Sequence, residues 1–217
     1  MSNITFKIVS KFFKLHSTLR HELGKDMARQ VLRKTQYLYI ELNNRKPKEK
    51  GIMRFHRTLL ILGLALYRAM QDELGDRDDL VDIVQKVIWK SVLCDLMRMQ
   101  AFFVRRSKDP YNLYLRLLGP RNEQFFICPP WEKVEVELEN GAGWDQLKCP
   151  YYEFFKEEDE VGLTKAYCDI DKLVAKLVPD HIELKRQRTL ADGDSSCDFY
   201  YFKKCADLMA RPEDEVF

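Results

Sequence analysis

Cysteine pairs spaced C-x-x-C are missing from this 217-residue chain, as are the motifs G-x-x-x-x-G-K-[ST], G-x-G-x-x-G and G-x-S-x-G. The first absence excludes a zinc ribbon or a thioredoxin-type centre. The others argue against the common nucleotide-dependent and serine-hydrolase chemistries. Histidine is scarce too. His16, His21, His56 and His181 show neither metal nor triad spacing, and each reads as a surface or capping residue. Long apolar runs are lacking. The most apolar stretch, Leu59 to Tyr67 (LLILGLALY), is far shorter than the roughly 20 residues needed to span a bilayer. Flanking His56, Arg57 and Arg68 suit a core helix instead. The N-terminal MSNITFKIVSKFFK interrupts its apolar residues with lysines, so no secretory signal is expected. The expectation is a soluble, cytoplasmic protein without a membrane partner. There the six cysteines (Cys94, Cys128, Cys149, Cys168, Cys197 and Cys205) are reduced thiols rather than a disulfide framework.

Hydrophobic residues make up 46% of the chain, enough to bury a core, and the net charge is only +2. No nucleic-acid partner is implied by the whole molecule. Residues 1 to 50 carry twelve Lys or Arg against four Asp or Glu, leaving the remainder at −6. Solvated basic helix faces explain this most simply; a surface for an acidic partner is the sharper alternative.

Periodicity divides the chain into a helical region, 1–110, and an α+β region, 111–217. Ile8, Phe12, Leu15, Leu19 and Leu23 follow helical spacing up to Gly24. A second helix is predicted from Lys25 to Leu42, with Met27, Val31, Leu38 and Leu42 inward. Asn43 to Gly51 is a polar loop, and a third helix runs from Met53 to Leu74. A fourth starts after Gly75-Asp76 and reaches Phe103, with Asp76, Asp78 and Asp79 suiting the positive end of its dipole. From Lys133 the pattern alternates: Val134, Val136 and Leu138 inward, Glu135, Glu137 and Glu139 outward. Asn140 to Gly143 turns the chain into a partner strand, Trp144 to Lys148. Pro150 opens a short helix, and a longer one spans Gly162 to Val178. Ile182 to Thr189 and Cys197 to Lys203 form a hairpin, and the acidic tail from Arg211 is loose. There is no internal repeat.

Three places could carry chemistry. On the helix from Gly162, Leu163, Ala166, Tyr167, Ile170, Leu173, Val174 and Leu177 form one apolar stripe. Cys168 and Asp171 lie off it, three residues apart and so neighbours, with Thr164 and Ala175 on their side. Small and polar groups collected there can line a pocket; the plainer alternative is an exposed face with an incidental cysteine. On the hairpin, period two puts Arg186 and Arg188 on the side of Ile182 and Leu184. A planar guanidinium there matches a carboxylate, whether of a ligand or of Asp194 or Asp198. Cys197, Phe199 and Tyr201 share one face of the return strand, Asp198 and Tyr200 the other. Finally, Cys149 precedes Pro150 at a helix start, where backbone N–H groups lower a thiol pKa. Cys149, Cys168 and Cys197 lack the tight ligand pairs of closed metal sites, so no metal is expected. No cofactor can be named.

The segment from Trp144 to Lys203 resembles the L-2-amino-thiazoline-4-carboxylic acid hydrolase family. The matching pieces are Lys148-Cys149-Pro150-Tyr151-Tyr152, Tyr167-Cys168-Asp169-Ile170-Asp171, Arg188-Thr189-Leu190, Gly193-Asp194 and Cys197-Asp198-Phe199. Their order and spacing together carry the likeness over the last third of the chain. The ending Gly193-Asp194-x-x-Cys197-x-Phe199 is also similar to the 4-vinyl-reductase domain, a small-molecule-binding module. The residue patterns themselves point to an α+β fold, a helical bundle or cap followed by a small antiparallel sheet packed with two helices. The resemblance implies hydrolytic opening of a cyclic amidine bearing a carboxylate to a carbamoyl-cysteine. Cys168, Asp171 and Cys197 are then the catalytic candidates. Arg188, which would hold the substrate carboxylate, Asp169, Asp194 and Cys149 are the binding candidates. Two alternatives stand beside this reading: a non-catalytic sensor or carrier of a small carboxylate, and an interaction protein using the basic helices. A homo-oligomer is compatible with all three.

Overall fold

The computed structural model describes residues 3–45, 49–119 and 121–204. Among these lie nine α-helices and one four-stranded antiparallel sheet, an α+β fold. Cys205 and the tail from Arg211 fall outside the described residues.

The first helical stretch is two helices, α1 (Asn3–Phe12) and α2 (Leu15–Leu23). Lys14 breaks them with a left-handed φ of 49°. The break resets the helical phase, so the expected common stripe fails: Ile8 is 64% exposed, while Phe6, Val9 and Phe13 are buried. Helix α3 (Lys25–Arg45) packs against α4 (Gly51–Leu74). Residues Leu59 to Leu66 of α4 are all buried. A helix apolar on every side belongs in the middle of a domain. No helix of the described residues is long and apolar enough to cross a membrane.

The expected fourth helix divides into α5 (Leu80–Trp89) and α6 (Val92–Arg105). Ser91 between them is extended, the Cys94 thiol bonds back to the Ile88 carbonyl, and Arg98 lies over the Trp89 ring. Asp76 and Asp78 precede the first turn of α5 rather than occupying it. Lys86 of α5 and Lys90, which follows its last turn, reach Glu22 of α2 at 2.8 and 3.4 Å. The Lys86 bond does most to hold the Glu22 carboxyl down at about 2. This link stabilises the fold at neutral pH and is lost as the pH falls from 4.5 toward 2. Helix α7 (Pro110–Leu117) begins as proline permits, with Asp109 accepting the Asn112 N–H.

Strands β1 (Glu132–Leu138), β2 (Gly141–Lys148), β3 (Ile182–Lys185) and β4 (Cys197–Lys203) lie in the order β1-β2-β4-β3. Gly141 and Gly143 belong to β2, not to the turn. A Cβ at Gly141 would press on the Tyr201 carbonyl of the neighbouring strand. Paired residues point to the same face. The inner face therefore holds Trp144 and Gln146 of β2 with Phe199 and Cys197 of β4. On β1 the register puts Lys133, Glu135 and Glu137 opposite Gln146, Trp144 and Ala142. The acids of β1 lie on the sheet face of Trp144 yet stay exposed, as expected, while Val136 and Leu138 are half-buried and Val134 is 53% exposed. At the sheet edge neither face of β1 is well covered, so hairpin register sets its facing rather than burial.

Helices α8 (Pro150–Glu157) and α9 (Thr164–Ala175) join the sheet to the helices. Early α9 residues (Ala166, Tyr167) enter the core of α1–α5, and late ones (Val174, Ala175) enter the core beneath the sheet. Ile170 touches both. Tyr167 donates to the Leu59 carbonyl at 2.8 Å, and Gly63 makes room for its phenol.

Candidate active site

A cavity of about 270 Å³ lies where the two cores meet. Its charged and thiol-bearing walls come from α9, β4, the segment after β3, the start of α8 and β1: Asp171, Cys168, Cys197, Arg186, Cys149 and Lys133. Thr164, Cys168 and Asp171 of α9 line this hollow together with Tyr167, Ile170 and Val174 of the apolar stripe; Ala175, expected on their side, packs into the core beneath the sheet instead.

At its centre is an ion pair. The Arg186 side chain is only 2% exposed; its Nη1 donates to Asp171 Oδ2 and to the Cys168 carbonyl, both at 3.0 Å. Its guanidinium lies 4.2 Å from the centre of the Phe199 ring. Burial lowers the Arg186 pKa, but Asp171, with Cys168 and Cys197, raises it by more, so the charge persists. Burial raises the Asp171 pKa, and Arg186 opposes the rise. Asp171 keeps 32% of its side-chain surface accessible while sitting deep among protein atoms. That surface is cavity, not bulk solvent.

Three donors of the wall lack a protein acceptor: Arg186 Nε, Trp144 Nε1 and Thr164 Oγ1. Buried polar groups are normally paired, and leaving one unpaired costs roughly 1–3 kcal/mol. All three atoms are fully buried, so they are packed within the wall rather than offered to the cavity.

The cysteines divide. Burial pushes the Cys168 thiol up to about 12, and Arg186 only partly opposes it. Burial likewise pushes Cys149 up to about 11, overriding the Tyr152 and Tyr151 N–H groups at the helix start. The expected lowering at Cys149 is therefore reversed: two backbone donors do not repay the loss of water. Cys197 differs in its contacts. Its sulfur accepts the Leu190 N–H at 3.2 Å and lies beside the Arg186 guanidinium. Among the described residues no group of three His, Cys, Asp or Glu is placed to hold a metal ion.

Three expected binding residues lie outside the cavity wall. Arg188 pairs with Asp145 at 3.1 Å and with the Tyr200 hydroxyl, on the outer face of the sheet. Period two fails after Lys185 because the Gln187 and Arg188 N–H groups leave the ladder for the Asp198 carboxylate. Arg186 takes the inner position instead. Asp169 pairs with Lys172 at 2.8 Å, and Asp194 caps the turn by accepting the Thr189 N–H.

His56 contradicts its expected surface place. It is fully buried, with Nε2 at 2.9 Å from the Phe125 carbonyl and Nδ1 at 2.6 Å from the Tyr151 hydroxyl. A carbonyl only accepts, so Nε2 carries the proton and Tyr151 donates to Nδ1. Burial lowers the His56 pKa, which keeps this neutral arrangement. Phe125 and Tyr151 line the cavity, so His56 braces its wall from behind. Its spacing from Leu59, Leu60 and Gly63 on one stripe of α4 was the available sequence signal.

Fold and site together define an α+β protein built around a cavity walled by a buried ion pair, three thiols and unpaired donors. The chain belongs to the L-2-amino-thiazoline-4-carboxylic acid hydrolase family, whose family model matches residues 52–201. The match begins at α4, so it takes in the central helices and not only the C-terminal third. No curated protein and no solved structure matches the chain.

Proposed function

We propose that the cavity opens a small cyclic amidine bearing a carboxylate, such as L-2-amino-thiazoline-4-carboxylate, to a carbamoyl-cysteine. The observation that carries this reading is the grouping of Asp171, Arg186 and Cys197 in one cavity wall. Asp171 takes a proton from water as its oxygen bonds to the ring carbon between nitrogen and sulfur. The carbon–sulfur bond then breaks as that proton passes to the departing sulfur, and the second proton of the water passes from the new hydroxyl to the ring nitrogen, leaving the carbamoyl carbonyl. Burial has already moved the Asp171 pKa upward from the ordinary carboxylate range, toward that of a useful base. Arg186 orients Asp171, and its positive charge in the cavity wall favours a substrate carboxylate.

A second route has its own support. Cys197, with its N–H donor and neighbouring guanidinium, can attack the same carbon and expel the ring sulfur, which takes up the thiol proton; water then hydrolyses the resulting protein isothiourea to carbamoyl-cysteine and the free thiol. Incubation with the thiazoline, followed by mass spectrometry of both product and intact protein, separates the readings. Carbamoyl-cysteine without a protein adduct is the expected result, and an adduct lost in Cys197→Ser would select the thiol route. Binding without product, with or without chelator treatment, would leave a sensor or carrier.

A further inference from the structure

We propose that the natural ligand is an amphiphile: a carboxylate head joined to an apolar body considerably larger than a thiazoline ring. This deepens the hydrolase reading and rests on it for the head group alone. The observation is how the wall divides by element. Every charged or thiol side chain in it comes from β1, the start of α8, α9, the segment after β3, or β4. The remaining wall, from α6, α7 and the segment leading to β1, is almost wholly apolar: Leu93, Leu96, Met97, Leu117, Leu118 and Phe126 are typical. Only the neutral Gln100 and Asn122 interrupt it.

Size points the same way. At about 270 Å³, the cavity approaches the roughly 300–1,000 Å³ of sites that enclose drug-sized ligands. A single five-membered ring with a carboxylate is much smaller. Held at Arg186, it would leave the apolar wall facing water, and nothing in its chemistry would use that wall. Leu96, 47% exposed, stands at the edge of this wall, so an apolar tail has a place to begin entering. The positive charges of Arg186 and Lys133 in the polar part of the wall favour an anionic head.

The test uses unreactive ligands, so it does not depend on turnover. Straight-chain carboxylates from butyrate to decanoate are titrated calorimetrically into the full-length protein, with the matched primary amines as controls. Each methylene buried should tighten binding about fourfold until the wall is covered. The amines should bind at least tenfold more weakly. Leu96→Gln, at a half-exposed position, should flatten the length dependence without moving the thermal midpoint. Affinity independent of chain length, or amines equal to carboxylates, would overturn the proposal. Thiazoline turnover by the same preparation decides the hydrolase reading separately. Turnover with flat length dependence would keep that reading and discard this one.

Discussion

The two faces of the sheet carry the same pairing in opposite surroundings. On the inner face Arg186 holds Asp171, and the arginine is 2% exposed. On the outer face Arg188 holds Asp145, and the arginine is 43% exposed. Distances are nearly equal, 3.0 and 3.1 Å. What differs is water. Outside, solvent screens the pair and competes with it. Inside, each charge depends on the other, and the pair tunes the acidity of its surroundings. Equal geometry therefore does not mean equal function, and chemistry is expected where the charge is desolvated.

The contrast breaks first at Arg186. Arg186→Met strips Asp171 of its partner and should lower stability by about 3–5 kcal/mol, measured by chemical denaturation, and abolish turnover. Arg186→Lys should recover part of the stability but little activity, since a point charge does not reproduce two directed bonds. At Asp171 the largest effect is on rate. Asp171→Asn should lower kcat by roughly 10²–10⁴-fold with a smaller change in KM, in steady-state assays on the thiazoline.

A third effect is on pH dependence. Because burial raises the Asp171 pKa, the folded state holds that proton more tightly than the unfolded chain does. Stability contributed by this group therefore falls as pH rises from 3.8 through the raised folded value, and is level above it. The slope should be shallower in Asp171→Asn when denaturation midpoints are compared across that window. Last and smallest, Arg188→Met should leave both turnover and the thermal midpoint unchanged within error. A large loss of turnover there would erase the distinction between the faces.

How much of this could be read from the sequence follows from the range of the interactions. The side of α9 bearing Thr164, Cys168 and Asp171 was legible because helical periodicity is local and its apolar stripe is unbroken. The alternation of Cys197, Phe199 and Tyr201 on β4 was legible for the same reason. Arg186 and Arg188 were not separable, because the strand ends where Asp198, ten or more positions away, captures two backbone N–H groups. On β1 the exposure of the acids was legible but their sheet face was not, because the rule of apolar inward applies only to strands that a core covers. The rise at Cys149 depends on tertiary burial, which no helix-start pattern contains. His56 was missed for a similar reason: its place on the buried α4 stripe was legible, but its partners Phe125 and Tyr151 are 69 and 95 residues distant.

Protection of thiols tests the inner-face cavity most directly. Alkylation by a small maleimide, mapped peptide by peptide, is compared with and without the thiazoline carboxylate. Cys149 and Cys168 line the cavity and should be labelled more slowly when the ring is present, while exposed Cys128 should be labelled at the same rate. Turnover of the ring with no protection of either cavity thiol would place the chemistry elsewhere and contradict the account.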